Sequence, residues 1–229
     1  MKDILGKAIA SYHQGNCIDQ LWINNTYGEP DEMPLEYYFR DKEGMPELEL
    51  FALEHCRGKI LDIGAAAGAH SLILQDLKQE VKALDISPEL VKTMKLRGVK
   101  NVEEANIFKW ETKEKFDTLL LLMNGIGISQ DLKGLGQLLK IFKGLLAGKG
   151  QVLFDSSDVS YLYEKDIPKG RYHGEIDFQY EYQKEKGDWF SWLYLGFDTL
   201  RVESKKAGFN AELLAQDEDE HYLARLTLI

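Results

Sequence analysis

Apolar residues recur along this chain at two spacings, and the places where one gives way to the other mark its elements. Ile4, Leu5, Ala8, Ile9 and Tyr12 fall at helical spacing and predict an amphipathic helix. Residues 24–34 are polar and punctuated by glycine and proline. They lead into the aromatic run Leu35-Glu36-Tyr37-Tyr38-Phe39-Arg40. Pro46 can open a helix that Leu50 and Leu53 continue, with Gly58 as its stop. From there short apolar runs alternate with helical patterns. Strands are predicted over 59–63, 81–86, 102–107, 118–123 and 151–155. Between them lie a helix over 67–77, one from Ser87-Pro88 to Gly98, and a longer one carrying Leu132, Leu135, Leu138, Leu139, Phe142, Leu145 and Leu146. Residues 118–123 form a continuous apolar run, as in a strand covered on both faces.

This alternation implies βαβ units, hence an α/β fold with a doubly wound, mostly parallel sheet and right-handed connections. After Asp155 the character changes. Residues 172–182 and 189–197 are rich in aromatic and β-forming side chains, which predicts a β-hairpin insertion over about 170–197. A helix over 198–208 and strands over 209–215 and 221–229 give an antiparallel ending. The expected division is an N-terminal helical or lid segment (1–57) and a main domain (58–229), together one compact unit.

In such sheets ligands bind outside the carboxyl ends of the strands. The stretch 59–71 has that form: a buried strand (Ile60, Leu61, Ile63), a small-residue turn (Gly64-Ala65-Ala66-Ala67-Gly68), then a helix. The turn lets the backbone pass close to a ligand, and the helix start aims free N–H groups there. Asp62 puts a carboxylate at the same rim. Asp85, Asn106, Asn124 and Gly125 stand at the ends of later strands. Tyr38 and Arg40, and Tyr172 in the insertion, are candidates for a lid or acceptor wall, beside the alternative that they only pack the additions onto the core.

Composition narrows the partners. The 229 residues suit one α/β domain, and 44% hydrophobic content allows a sizeable core. A formal net charge of −10 repels phosphate backbones, so nucleic acid is a poor partner. Cys17 and Cys56 have neither metal-site nor disulfide-framework spacing, which points to a reducing, cytoplasmic setting and no metal. The longest apolar run, 119–123, is too short to span a bilayer. A monomer or homodimer is expected.

By the order of these motifs the chain resembles the class I S-adenosylmethionine-dependent methyltransferases, closely over about 58–155 and more loosely to its end. The resemblance implies a Rossmann-like fold and S-adenosylmethionine as cofactor, with S-adenosylhomocysteine as product. It places Asp62, Gly64, Ala65, Ala66 and Gly68 at the amino-acid part of the cofactor. Asp85 is implied to accept from the ribose hydroxyls, with Ile86 on the adenine face. Asn106, beside Ile107, is implied to accept from the adenine amino group. Asn124-Gly125 matches the loop that passes the methionine end and faces the acceptor. Ala66 stands where the family usually has glycine, and its methyl narrows the ligand's approach.

Methyl transfer is an in-line displacement, so the protein mainly aligns the reacting atoms. No catalytic base is assigned: His70 reads as structural and His173 as a surface residue. The family's Asn/Asp-Pro-Pro-aromatic motif is absent after strand four. With the acidic charge, this favours a small-molecule acceptor. The alternatives are a non-catalytic cofactor- or partner-binding protein on the same fold and, less favoured, a nicotinamide-dependent dehydrogenase.

Overall fold

The computed structural model describes residues 2–16, 19–163 and 169–229; Cys17 lies outside them. The chain opens with α1 (Ile4–His13), β1 (Leu21–Asn25), β2 (Asp31–Met33), a 3-10 turn (Leu35–Phe39) and α2 (Glu47–His55). The alternating region follows as β3 (Lys59–Ile63), α3 (Ala69–Asp76), β4 (Glu80–Asp85), α4 (Pro88–Arg97), β5 (Val102–Glu104) and β6 (Phe116–Leu121). A 3-10 turn (Gly125–Ser129), α5 (Leu132–Leu145) and β7 (Leu146–Ser157) complete it. The rest comprises β8 (Glu175–Tyr182), β9 (Glu185–Lys186), β10 (Phe190–Leu193), α6 (Phe197–Ala207), β11 (Phe209–Gln216) and β12 (His221–Leu228).

Local chemistry sets these boundaries. Ser87 caps α4 by accepting the Leu90 N–H, Pro88 occupies its first turn, and Gly98 ends it in the left-handed region. Asp131 caps α5 by accepting the Gly134 N–H at 2.6 Å. Leu119 and Leu121 of β6 pack with the α5 side chains, while Leu120 packs with Ala52 and Leu53 of α2. That two-sided burial explains the unbroken apolar run.

The central sheet has strand order β11-β12-β7-β6-β3-β4-β5. Strands β3 to β7 are parallel, and β12 runs antiparallel between β7 and β11. The order reverses between β3 and β6, where ligands of such sheets bind.

The stretch 24–34 differs from its sequence reading. Part of it is strand: β1 and β2 pair with each other, and β1 pairs with β8 in a second, antiparallel sheet of order β10-β8-β1-β2. Five residues of mixed polarity carry little β signal alone. Their β8 partners lie more than 150 positions away, as in the pairing of Ile23 with Tyr180. The predicted insertion and the N-terminal segment are thus joined by backbone hydrogen bonds.

Register puts Leu21, Ile23, Phe178, Tyr180, Tyr182, Phe190 and Trp192 on one face of the small sheet. This face turns to the central strand ends. Tyr180 packs against the same apolar cluster as Ala66 and Met123, and the Trp192 indole N–H donates to the Asn124 carbonyl at 3.1 Å. A recess lined by Trp22, Asn24, Glu29, Pro30 and Glu181 opens on the other face. Two ties hold the N-terminal segment down. Asp3 accepts from the Gly6 N–H and the Ser87 hydroxyl, and Arg97 donates to the carbonyls of Ala67 (2.6 Å) and Tyr38 (3.3 Å).

Gly127, in the turn after β6, leaves room for the small sheet: a Cβ there would lie 2.0 Å from the Trp192 indole nitrogen. Gly127→Ala is expected to cost about 1–3 kcal/mol through overpacking, read as a lower urea midpoint with an unchanged m-value.

Candidate functional site

Three residues of the turn after β3 take positive φ: Gly64 (+73°), Ala66 (49°) and Gly68 (+79°). The N–H groups of Gly64 and Ala65 donate to the Leu84 carbonyl at 2.8 and 3.2 Å. The two glycines serve different ends. A Cβ at Gly68 would lie 2.8 Å from Val99, so this position packs α3 against α4. A Cβ at Gly64 would meet nothing within 4 Å, so this position fronts open space. Ala66 holds a conformation that glycine takes more easily, and its N–H donates to Asp85 Oδ2 at 3.0 Å.

Asp85 ends β4. Its Oδ1 accepts the Ser87 N–H at 2.9 Å. Burial pushes its carboxyl up to about 6, against those two N–H groups. Ile86, the next residue, is 64% exposed, so an apolar side chain stands uncovered beside a carboxylate. Asp62 lies under the turn rather than at its surface. It is 2% exposed and accepts the Ser71 hydroxyl at 2.6 Å. Asn106 spends one lone pair of its side-chain oxygen on the Phe108 N–H at 2.9 Å. Ile107 is buried in the α5-side core.

Asn124 is committed within the protein. Its N–H donates to Asp155 Oδ1 (3.0 Å), its side-chain amide to the Leu193 carbonyl (3.3 Å), and its side-chain oxygen accepts from Ser156 (2.7 Å). With φ at 53° it braces the loop, and Gly125 beside it is buried.

The proposed lid residues separate. Arg40 is not a mobile cover: its guanidinium donates to Glu49 at 2.7 Å, and the other Glu49 oxygen lies 2.6 Å from His70 Nε2. The Arg40 Nε is buried without a partner. The Tyr172 hydroxyl accepts the Gly196 N–H at 3.0 Å and fixes the entry to α6. Tyr38 is buried against α1 and Ala67, with its hydroxyl electrostatically coupled to Tyr194 and Tyr180. His70 is buried as expected of a structural histidine, and His173 lies 3.1 Å from Asp158.

Two carboxylates at this site escaped the sequence reading. Burial pushes Glu49 up, but His70 and Arg40 outweigh it and the net shift is downward. Burial pulls His70 down, but Glu49, Asp62 and Asp155 outweigh it and the net shift is upward. The second is Asp155. It ends a predicted parallel strand, as Asp85 does, and that position was the available signal.

No protein-family model and no curated protein matches the sequence. Among solved structures, a SAM-dependent methyltransferase from Bacteroides fragilis, crystallised with S-adenosyl-L-homocysteine, is 42% identical. The match covers 99% of this chain and 95% of that one, with a TM-score of 0.92. The CcbJ methyltransferase from Streptomyces caelestis shares the fold at 11% identity (79% and 87% covered, TM-score 0.63). The PH0226 protein from Pyrococcus horikoshii does so at 18% (80% and 88%, TM-score 0.62). The chain belongs to the class I S-adenosylmethionine-dependent methyltransferases, with S-adenosylmethionine as its cofactor. This sets aside the dehydrogenase reading. The open side of Gly64 and the uncovered Ile86 beside Asp85 fit that cofactor. No helix among the described residues is long and apolar enough to cross a membrane, and no group of three or more His, Cys, Asp or Glu among them could hold a metal ion.

Ala66→Gly is expected to leave the fold intact and to add up to about 1 kcal/mol, since an L-residue in the left-handed region is strained; urea unfolding reads it. Glu49→Gln is expected to cost about 3–5 kcal/mol by leaving buried cations unpaired. The His70 contribution is complete below its unfolded value of 6.5 and is lost as pH rises through the raised folded value. The Glu49 contribution is complete above 4.5 and is lost as pH falls through the lowered one. The difference between wild type and Glu49→Gln should therefore shrink on both sides of mildly acidic pH.

Proposed function

We propose that the chain methylates a small-molecule acceptor held between the glycine turn and the small antiparallel sheet. The observation that carries this reading is the roof itself: Tyr180, Ala66 and Met123 border one apolar cluster, and the Trp192 indole is bonded to the Asn124 carbonyl, so the small sheet sets aromatic side chains over the turn and the loop after β6. A net charge of −10 argues against a nucleic-acid acceptor.

In this reading Asp85 accepts from the ribose hydroxyls, Ile86 covers one adenine face, and the free lone pair of Asn106 faces the adenine amino group, beside Ile107. Gly64, Ala65, Ala66 and Gly68 shape the backbone that meets the methionine part, and Asp62 supports them from below through Ser71. Asn124 and Gly125 hold the acceptor-side loop. Bound there, S-adenosylmethionine supplies a methyl group on a sulfonium, a leaving group already activated by its charge. The protein's share is to align, to exclude water and to hold the acceptor in near-attack geometry. Residues 1–57 and 58–229 act as one unit, supported by the β1–β8 pairing. The cysteine content supports a cytoplasmic setting.

Calorimetric titration with S-adenosylhomocysteine, with NAD as control, tests the site. Micromolar binding of the first and none of the second is expected, about −8 kcal/mol. Asp85→Ala should weaken it by about 1.5–3 kcal/mol for each charge-assisted hydrogen bond lost. Unchanged affinity in that variant would sink the assignment. Lower pH works in the same direction: an Asp85 carboxyl pushed up to about 6 protonates below that value and loses acceptor strength, so affinity should fall from pH 7 towards 5.

A further inference from the structure

Asp155 stands at the carboxyl end of β7, next to the loop that follows β6. Among the described residues, the only hydrogen bond that its carboxylate accepts from another residue is the Asn124 N–H, at 3.0 Å. The residue is half-buried at the strand ends, and among those residues only its own N–H, besides that of Asn124, bonds the carboxylate. Alternation along β7 puts it on the Leu153 side, above the α2 and α3 layer. Glu49 and His70 of that layer, and the hydroxyls of Tyr194 and Tyr222, lie within electrostatic reach of it. The Tyr222 hydroxyl is committed to the Leu195 carbonyl.

Tyr194 continues into an aromatic wall. Its ring lies 6.3 Å from Phe178, which lies 6.4 Å from Tyr27; Tyr180 and Phe190 are 5.1 Å apart. The hydroxyls of Tyr27, Tyr180 and Tyr194 are electrostatically coupled, and burial pushes all three up, so they stay neutral. No Lys or Arg among the described residues forms an ion pair with Asp155; the nearest cationic partner is His70, already bonded to Glu49.

A half-buried carboxylate with no Lys or Arg paired to it, and with neutral tyrosine hydroxyls in its field, attracts a protonatable nitrogen. It repels a carboxylate acceptor, because Asp155, Glu49 and Asp62 already crowd negative charge there. We propose that the acceptor is an amine, and that Asp155 holds its nitrogen and takes its proton. This rests on the methyl-transfer reading above. The bound ammonium first gives a proton to the Asp155 carboxylate and on to solvent; the freed nitrogen lone pair then forms the new N–C bond as the methyl–sulfur bond breaks with its electron pair remaining on sulfur. Asp155 suits both halves of that role at neutral pH. Burial, with Glu49 nearby, pushes its carboxyl up to about 7, against the Asn124 N–H and His70.

Asp155→Asn keeps an oxygen for the Asn124 N–H and removes the charge. Ligand-detected NMR on the protein loaded with S-adenosylhomocysteine would compare benzylamine with benzyl alcohol. Wild type is expected to bind benzylamine at least about tenfold more tightly, a difference of about 1.4 kcal/mol, and the variant is expected to lose that preference. Absence of a preference in wild type, or its survival in the variant, overturns the proposal. Failure of S-adenosylhomocysteine to bind wild type would instead overturn the cofactor site beneath it. Stability gives a second reading without any acceptor. The folded Asp155 binds its proton more tightly than the unfolded value of 3.8, so its burial penalty grows as pH rises through about 4–7. Asp155→Asn should therefore raise the urea midpoint at about pH 8 and lose that advantage by about pH 5. A variant less stable than wild type at the higher pH would make Asp155 a brace for the loop and overturn its role towards the amine.

Discussion

A buried chain of charge, Arg40–Glu49–His70, underlies the binding edge of this protein. Each link comes from a different element: the segment before α2, α2 itself, and the first turn of α3 just past the glycine turn. Burying two cations and an anion is unfavourable unless geometry is tight, and the 2.7 and 2.6 Å contacts supply it. The result is directional, which apolar packing is not: it sets where α2 and the N-terminal segment meet the turn. It also places one cation among the buried carboxylates. His70 lowers both Asp62 and Asp155, which burial would otherwise push higher still.

The second organising constraint is that the roof over the strand ends is made from both ends of the chain. Strand β1 is central in the small sheet, between β8 and β2, so the N-terminal segment cannot leave without exposing two rows of backbone groups. Trp192, seated on Gly127 and bonded to Asn124, fixes the roof to the loop after β6. Asp3 at Ser87 and Arg97 at the Tyr38 carbonyl fix the N-terminal segment to α4. Acceptor and cofactor regions are thus positioned by one set of contacts, as a reaction that depends on alignment requires.

How legible each part was follows from how local its cause is. The alternating region could be read because β3, β4, β6 and β7 are short apolar runs bounded by caps and glycines, all local signals. The places of Asp85 at a strand end and of Gly64 in a turn were legible for the same reason, since both are local features. Strand β1 was not, because what makes Trp22-Ile23-Asn24 a strand is a partner far along the chain. Glu49 looked like one acid on an acidic helix, and only the packing of α2 against His70 turns it inward. Arg40 and Tyr172 carried the residue types of a lid, yet Arg40 is held in an ion pair and the Tyr172 hydroxyl is tied to Gly196. Residue type suggested chemistry there, and hydrogen bonding assigned structure. Asn124 shows the converse: a position read as ligand-facing is wholly used in bracing the loop around Asp155.

Asp85 and Asp155 share with Asp62 a feature that separates them from the ion-paired acids Glu49 and Asp177. Both end parallel strands, both accept backbone N–H groups, and burial still pushes both upward, to about 6 and about 7. A carboxylate kept for stability would be expected to shift downward, as Glu49 and Asp177 do beside their cations. Each weakens the folded state above its own pKa. On the proposed reading a ligand's hydrogen-bond donors relieve that cost, ribose hydroxyls at Asp85 and an N–H group at Asp155, with the two acids on either side of the strand-order reversal of a single sheet.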